Sequence, residues 1–515
     1  MDQPRVITRR VRYCEDASAL FAQLGGLEAT DSMLMESADI TTASGIQSVA
    51  VLAASLRVTC NGERVDVVTL TESGKHFAAD LDSQLARYKS GEASYVFPRS
   101  TAEDERERLT APSNVEALRA LTTRADYTDE TGMLPMLAGG FAFDFLETYE
   151  MLPDVVEGPN TYPDYQFMLA EIVLRMDHQN QTATLTGVDA AGGEVERRVE
   201  EIAAQIENPQ LWVNRIGDGG QLIVTADITD ADFKGHIKDL KDEIYAGEIY
   251  QVVPARSFQT ECTDPFEAYR QLRETNPSPY MFYVRGLDRA DKPYELFGAS
   301  PESNLKFDHV SREVQLYPIA GTRPRGFAAD GSISPELDVR RELELRTNAK
   351  EVAEHTMLVD LARNDMARVS VPGTRKVAEL LQVDRYSRVM HLVSRVTATL
   401  ADDLDALDAY RACMNMGTLT GAPKLRATEL LRDVEKHRRG SYGGAVGYLR
   451  GNGDMDTCIV IRSAYVSGGQ AAVQAGMGVV RDSDPQAEAD ESLHKAYAVL
   501  HAIALAASAE LKVVR

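Results

Sequence analysis

The sequence predicts a mixed α/β (α+β) fold, and three observations carry that expectation. Residues 1 to about 175 alternate short apolar runs with turns, as at 49–56 and 65–70. From Gln221 onward, long helical patterns alternate with strands, and 441–482 reads as a β-meander. At 515 residues the chain is long enough for two to four domains, or for one large fold with an appended one.

The first helix to stand out is 194–207, where Val195, Val199, Ile202 and Ile206 fall at helical spacing in a charged stretch. At 208–220 the pattern lapses into Pro, Asn and Gly, which marks a linker and divides the chain into 1–215 and 216–515. Across 335–364, Ala349, Val352, Ala353, Met357, Leu358 and Leu361 form an apolar stripe of one helix. Another helix begins at Asp484-Pro485, an N-cap followed by proline at N1, and runs through Leu493, Ala496, Tyr497 and Leu500. Between them the meander reads 443–450, a Gly-Asn-Gly-Asp turn, 457–466, a Ser-Gly-Gly-Gln turn and 471–481. Its middle run is apolar on both faces, which places it inside a sheet.

With 55 basic and 79 acidic side chains the net charge is −24. That field repels phosphate backbones, so no nucleic-acid partner is expected, and an anionic small substrate needs a local positive centre or a metal ion. No apolar run spans a bilayer and the start lacks the apolar core of a signal peptide, so the expectation is a cytoplasmic protein with no membrane partner. Cys14, Cys60, Cys262, Cys413 and Cys458 are scattered and form no C-x-x-C pair, which suggests free thiols.

Five features could carry chemistry. Glu351 and Glu354 lie i, i+3 on one helix face, and Glu488 and Glu491 repeat the spacing in the first turns of the last helix. Two such faces opposed supply hard oxygen ligands suited to Mg²⁺; alone, each is also what a solvated helix face looks like. Gly476 and Gly478 lie two apart on an expected strand and leave one face bare for a planar ligand. Arg462, amid Ile459, Val460 and Ile461, needs a carboxylate, either from a ligand or from an internal ion pair. A Gly321-Thr322 corner offers an N–H and a hydroxyl, and His391 sits in an apolar run where a core histidine is equally at home.

Taken together, several segments resemble the chorismate-utilising enzymes, and among them the large subunits of the anthranilate synthases. They are Asp360-Leu-Ala-Arg-Asn-Asp365, Gly321-Thr-Arg-Pro-Arg325, Gly421-Ala-Pro-Lys424, Arg439-Gly-Ser-Tyr-Gly-Gly-Ala-Val-Gly-Tyr448, Ile459-Val-Ile-Arg-Ser463 and Ala489-Asp-Glu491. The resemblance implies a sandwich of two large, mostly antiparallel β-sheets with helices packed outside. It implies a catalytic region at 216–515 and a regulatory, tryptophan-binding region at 1–215. The implied reaction adds ammonia at C2 of chorismate, loses the C4 hydroxyl and eliminates pyruvate to leave anthranilate.

Carried across, Glu354 and Glu491 match direct Mg²⁺ ligands, and Glu351 and Glu488 match companions that hold bound water. Glu302 matches the general acid for the C4 hydroxyl; neighbouring negative charge is expected to raise its pKa. His391 matches the histidine of pyruvate elimination, and Gly321, Thr322 and Thr418 match contacts to the ring. Tyr442, Arg462, Gly476, Met477 and Gly478 match the substrate-binding set. Two positions favour ammonia addition over the isochorismate and aminodeoxychorismate synthase alternatives. Gln251 stands where water-adding relatives carry a lysine base, and Ala320 where the 4-amino relative carries a nucleophilic lysine. Leu34-Met-Glu-Ser37 and Asn276-Pro-Ser-Pro-Tyr-Met281 resemble the walls of the family's tryptophan site, which assigns Glu36, Ser37, Pro279, Tyr280 and Met281 to the effector. No cysteine sits in a turn suited to glutamine hydrolysis, so a separate glutamine amidotransferase subunit is the implied partner, in a heterodimer or heterotetramer.

Overall fold

The computed structural model describes residues 3–39, 45–210, 212–213, 217, 219–328, 330–386 and 389–515. Two long strands, Gly45–Asn61 and Tyr165–Asp177, organise them. They pair from Gln47↔Asp177 to Cys60↔Tyr165, with register shifts between Val51 and Leu56. Such irregularities bend and twist a strand, and here they let one strand pair serve two sheets.

On the side of Gln47 and Asp177, the pair is flanked by Thr182–Asp189 and Ser32–Ala38. Beyond Ser32–Ala38 the sheet continues through Tyr280–Leu287, Pro293–Ser300, Ser463–Ser467, Gln470–Gly476, Ala255–Glu261, Gln221–Ala226 and Glu510–Val514. On the side of Cys60 and Tyr165 the flanking strands are Arg64–Thr69 and Met136–Phe141. From Met136–Phe141 the second sheet runs through Ala445–Arg450, Met455–Ile459, Ser303–Asp308 and Glu313–Leu316 to Val389–Thr399. All these pairings are antiparallel except the last of the first sheet, Gln221–Ala226 with Glu510–Val514. The expected two-sheet architecture is therefore present, with two strands common to both sheets.

Helices cover the outside. The Glu194–Ile206 helix buries Val195 and Val199 against the bare position at Gly187. Pro485–Ala506 lies on Gln470–Gly476 and beside the helix Pro265–Thr275, burying Ala496, Val499, Leu500 and Ile503 in the core under the first sheet. A second core, rich in aromatics, stacks Phe141 on Tyr410 at 4.2 Å between ring centres. Each such side chain contributes about 2–3 kcal/mol when fully buried.

Three sequence expectations need correction. The single helix at 335–364 is two, Pro335–Thr347 and Ala349–Ala367. Asn348 breaks it because its side chain accepts the Glu351 N–H at 3.1 Å, capping the second helix. The middle strand of the meander, 457–466, is also two: Met455–Ile459 belongs to the second sheet and Ser463–Ser467 to the first. It is apolar on both faces because it crosses between layers. The third strand, expected over 471–481, ends at Gly476. The expected boundary at 215/216 touches residues outside the described ones, as does much of the 208–220 linker; strands from before and after it occur in both sheets.

Candidate active site

The N-terminal parts of Ala349–Ala367 and Pro485–Ala506 come near enough for Glu354 and Glu488 to interact, and Glu302 and Thr418 line a small cavity against the first of these helices. Asn348 and Asp484 cap these helices, the latter accepting from Gln486 and Ala487 N–H. The caps set Glu351 and Glu488 at the positive helix ends, with Glu354 and Glu491 one turn further in. The two doublets face each other closely enough that Glu354 and Glu488 repel: burial first, then Glu351 and Glu488, push the Glu354 carboxyl up. Burial likewise raises Glu488, which is held by Ser483. Burial works against ionisation of Glu491 too, yet Lys495, Arg462 and Lys350 hold it below the usual range.

Each doublet is charge-compensated from within the chain. Arg323 bonds Glu351 at 2.8 Å, Lys350 pairs with Glu354 at 3.7 Å, and Lys495 pairs with Glu491 at 2.8 Å. Among the described residues no three acidic or metal-ligating side chains converge on one point as they stand. Oε1 of Glu354, however, is buried with the Lys350 ammonium at 3.7 Å as its nearest cation, too far for a hydrogen bond. A hard cation would complete the coordination of that oxygen more closely than the lysine does. The donor set, four carboxylates on two facing helices, fits Mg²⁺.

Glu302 follows the strand Pro293–Ser300 and is 7% exposed. Its carboxyl is pushed up to about 8 by burial, against the opposing pull of the Thr418 hydrogen bond, Arg462 and Lys495. The cause expected from the sequence, neighbouring negative charge, is thus corrected: burial does it, and the charged neighbours are cations. Thr418 donates its hydroxyl to Glu302 Oε1 at 3.0 Å. His391 is lowered to about 4 by burial and by Arg462, so its imidazole is neutral; Nδ1 lies 2.9 Å from the Thr322 hydroxyl.

Gly321 has φ +87°, and a Cβ there would lie 3.1 Å from Glu351 Oε2. The corner that carries Thr322 therefore touches the first acidic helix directly. His355, fully buried, holds this corner: its ring nitrogens meet the Ala320 carbonyl at 3.2 Å and the Ser394 hydroxyl at 2.7 Å.

Arg462 sits at the crossing between sheets with φ 50°, a conformation costing about 1–3 kcal/mol in a non-glycine residue. Burial pulls its pKa down, and Tyr442, Glu491 and Glu302 pull the other way, yet it makes no carboxylate ion pair among the described residues. The alternative of an internal salt bridge is not seen there. Gly476 and Gly478 do not share a strand face, since the strand stops between them. Each is required differently: a Cβ on Gly476 would lie 3.1 Å from the Tyr442 hydroxyl, and one on Gly478 would lie 2.4 Å from Gln251 Nε2. Met477 between them is fully buried in a core cluster, so it offers only main chain.

The effector residues assemble separately. Glu36, Ser37, Pro279, Tyr280 and Met281 line one cavity, together with Met35, Tyr448 and Cys458. Glu36 is 5% exposed and takes the Tyr269 hydroxyl at 2.5 Å and Arg273 Nε at 3.1 Å. Sequence reasoning missed Lys350, Lys495, His355 and the 448–458 wall. The lysines sit four residues from the glutamates they pair with, a spacing that could have flagged them; the wall arises only from strand pairing.

The model of the chorismate binding enzyme family matches residues 73–501, and the chain belongs to that family. Within it, the chain is 48% identical over 510 residues to "Anthranilate synthase component 1" of Vibrio cholerae serotype O1, covering 97% of this chain and 96% of that one. It is 46% identical to the protein of the same name in Escherichia coli K12, covering 98% of each. The crystal structure of anthranilate synthase component I from Streptococcus pneumoniae aligns with a TM-score of 0.70 at 28% identity, covering 88% of this chain and 92% of that one. A menaquinone-specific isochorismate synthase of Escherichia coli, 17% identical with a TM-score of 0.67, shares the fold.

Proposed function

We propose that this chain is the synthase component of an anthranilate synthase, converting chorismate and ammonia to anthranilate and pyruvate as a cytoplasmic, Mg²⁺-dependent lyase of tryptophan biosynthesis. The observation that carries this reading is Glu302: a carboxylic acid poised to remain protonated at neutral pH, bonded to Thr418, with Arg462 close to both it and a neutral His391 and, among the described residues, in no carboxylate ion pair. A protonated Glu302 gives its proton to the C4 oxygen as that C–O bond breaks. Arg462 and the main-chain donors of 476–478 orient the dianionic substrate. His391 Nε2, with Nδ1 occupied by Thr322, accepts the C2 proton as pyruvate leaves.

Glu351, Glu354, Glu488 and Glu491 would hold Mg²⁺, which supplies Lewis-acid polarisation of the ring carboxylate. Gln251 supports ammonia as nucleophile. It is 6% exposed, and its Oε1 is buried without a donor, an acceptor suited to an N–H and unable to deprotonate water. The curated relatives are named component 1; a glutamine amidotransferase subunit is accordingly the proposed ammonia source. Tryptophan is the proposed occupant of the Glu36–Ser37 cavity, with Glu36 facing its ammonium group.

Incubating the chain with chorismate, Mg²⁺ and an ammonium salt tests the reading. Anthranilate fluorescence with stoichiometric pyruvate is expected. Isochorismate or 4-amino-4-deoxychorismate as the product, or no turnover, would overturn it.

A further inference from the structure

A small cavity lies where residues 97–114 meet the helix Ala406–Cys413, and it shares no lining residue with the cleft or the effector cavity. Arg99, Arg108 and Arg411 all line it. In a chain with 79 acidic side chains to 55 basic ones, arginines readily find carboxylates. Among the described residues none of these three does. Arg99 donates to the Glu147 and Thr148 carbonyls, Arg108 to those of Ala102 and Glu103, and Arg411 to that of Leu109. Carbonyl oxygens take some of the N–H groups but bring no counter-charge; Arg99 is exposed and Arg108 half-buried, so the buried charge is that of Arg411.

Arg411 is 4% exposed, and its Nε has no acceptor. Ser113 Oγ, on the same wall, is also buried without a partner. The Tyr149 ring lies 5.1 Å from the guanidinium. The acidic groups whose charge reaches Arg411, Asp408 and Glu116, are both engaged by Arg119, and burial keeps the Arg411 pKa below its usual value. A buried cation without a counter-ion is costly. The cavity itself, about 20 Å³, has room for roughly one water-sized particle.

We propose that this cavity is a binding site for one small inorganic anion of halide size, held by Arg411, Arg108, Arg99 and the Ser113 hydroxyl. The anion ties the 97–114 segment to the helix that precedes Thr418, joining a part of the chain before residue 215 to one after it.

Two measurements on the full-length chain test this. In crystals grown with sodium bromide, anomalous scattering should show a peak within contact of Arg411 Nε and Ser113 Oγ. In solution, melting in sodium chloride should exceed melting in sodium gluconate of equal ionic strength by about 2 °C, and Arg108→Gln and Ser113→Ala should each lose most of that difference. Lys75→Gln, which removes a distant surface charge, should retain it. No bromide peak in the cavity overturns the proposal. So does a chloride effect that survives in Arg108→Gln and Ser113→Ala, or a peak with no chloride effect at all, which marks an adventitious ion only.

Discussion

Glu302 shows how much a side chain's chemistry depends on where it is buried. Its position after Ala299-Ser-Pro was readable in the sequence; the desolvation that raises it to about 8 was not, because burial comes from strands far apart in the chain. A general acid works only while protonated, so kcat/KM should fall as pH rises through about 8. His391 must be neutral to accept a proton, so the acidic limb should fall only toward about pH 4. Initial rates across pH at constant free ammonia check both limbs. Glu302→Gln should cut kcat by about 10²–10⁴-fold with little change in KM and should remove the basic limb. A basic limb that persists in the variant would assign it to another group. Arg462 was legible as a charge in an apolar run, but its left-handed backbone was not, since nothing local in Ile-Val-Ile-Arg announces a change of sheet.

Elements set the precision of the proposed metal site. The Glu doublets could be read from i, i+3 spacing, and the Asp484-Pro485 helix start was as expected. The break at Asn348 was missed because the apolar stripe runs on through it; a capping asparagine outcompetes the helix interior only through its own side-chain bond. Asn348→Ala should cost about 1 kcal/mol of stability and weaken Mn²⁺ binding, while Asn348→Asp should preserve both. Thermal melts and electron paramagnetic titration with Mn²⁺ separate these outcomes. Glu491→Gln should abolish turnover, and raising Mg²⁺ should not restore full activity; complete rescue by excess metal would remove Glu491 from the ligand set.

At the level of the whole molecule, alternation and turn signals foretold strands but not their partners. The run 49–56 reads as an ordinary short strand, yet it lies within Gly45–Asn61, which bends through bulges to serve both sheets, and only three-dimensional pairing reveals that. The same pairing builds the Glu36–Ser37 cavity. Ser37→Arg should fill it, shifting the tryptophan inhibition curve to at least tenfold higher concentration while turnover stays near that of the wild type; an unchanged curve would remove Ser37 from that cavity. The opposite wall behaves differently, because Tyr280 pairs with Ser300, two residues before Glu302, and Cys458 pairs with Ser303, one residue after it. The proposed effector wall therefore pairs with the strand residues on either side of the proposed acid. On the proposed reading, an engineer seeking a deregulated catalyst would work at the Ser37 edge, because a change at Tyr280 would also shift the backbone beside the proton donor.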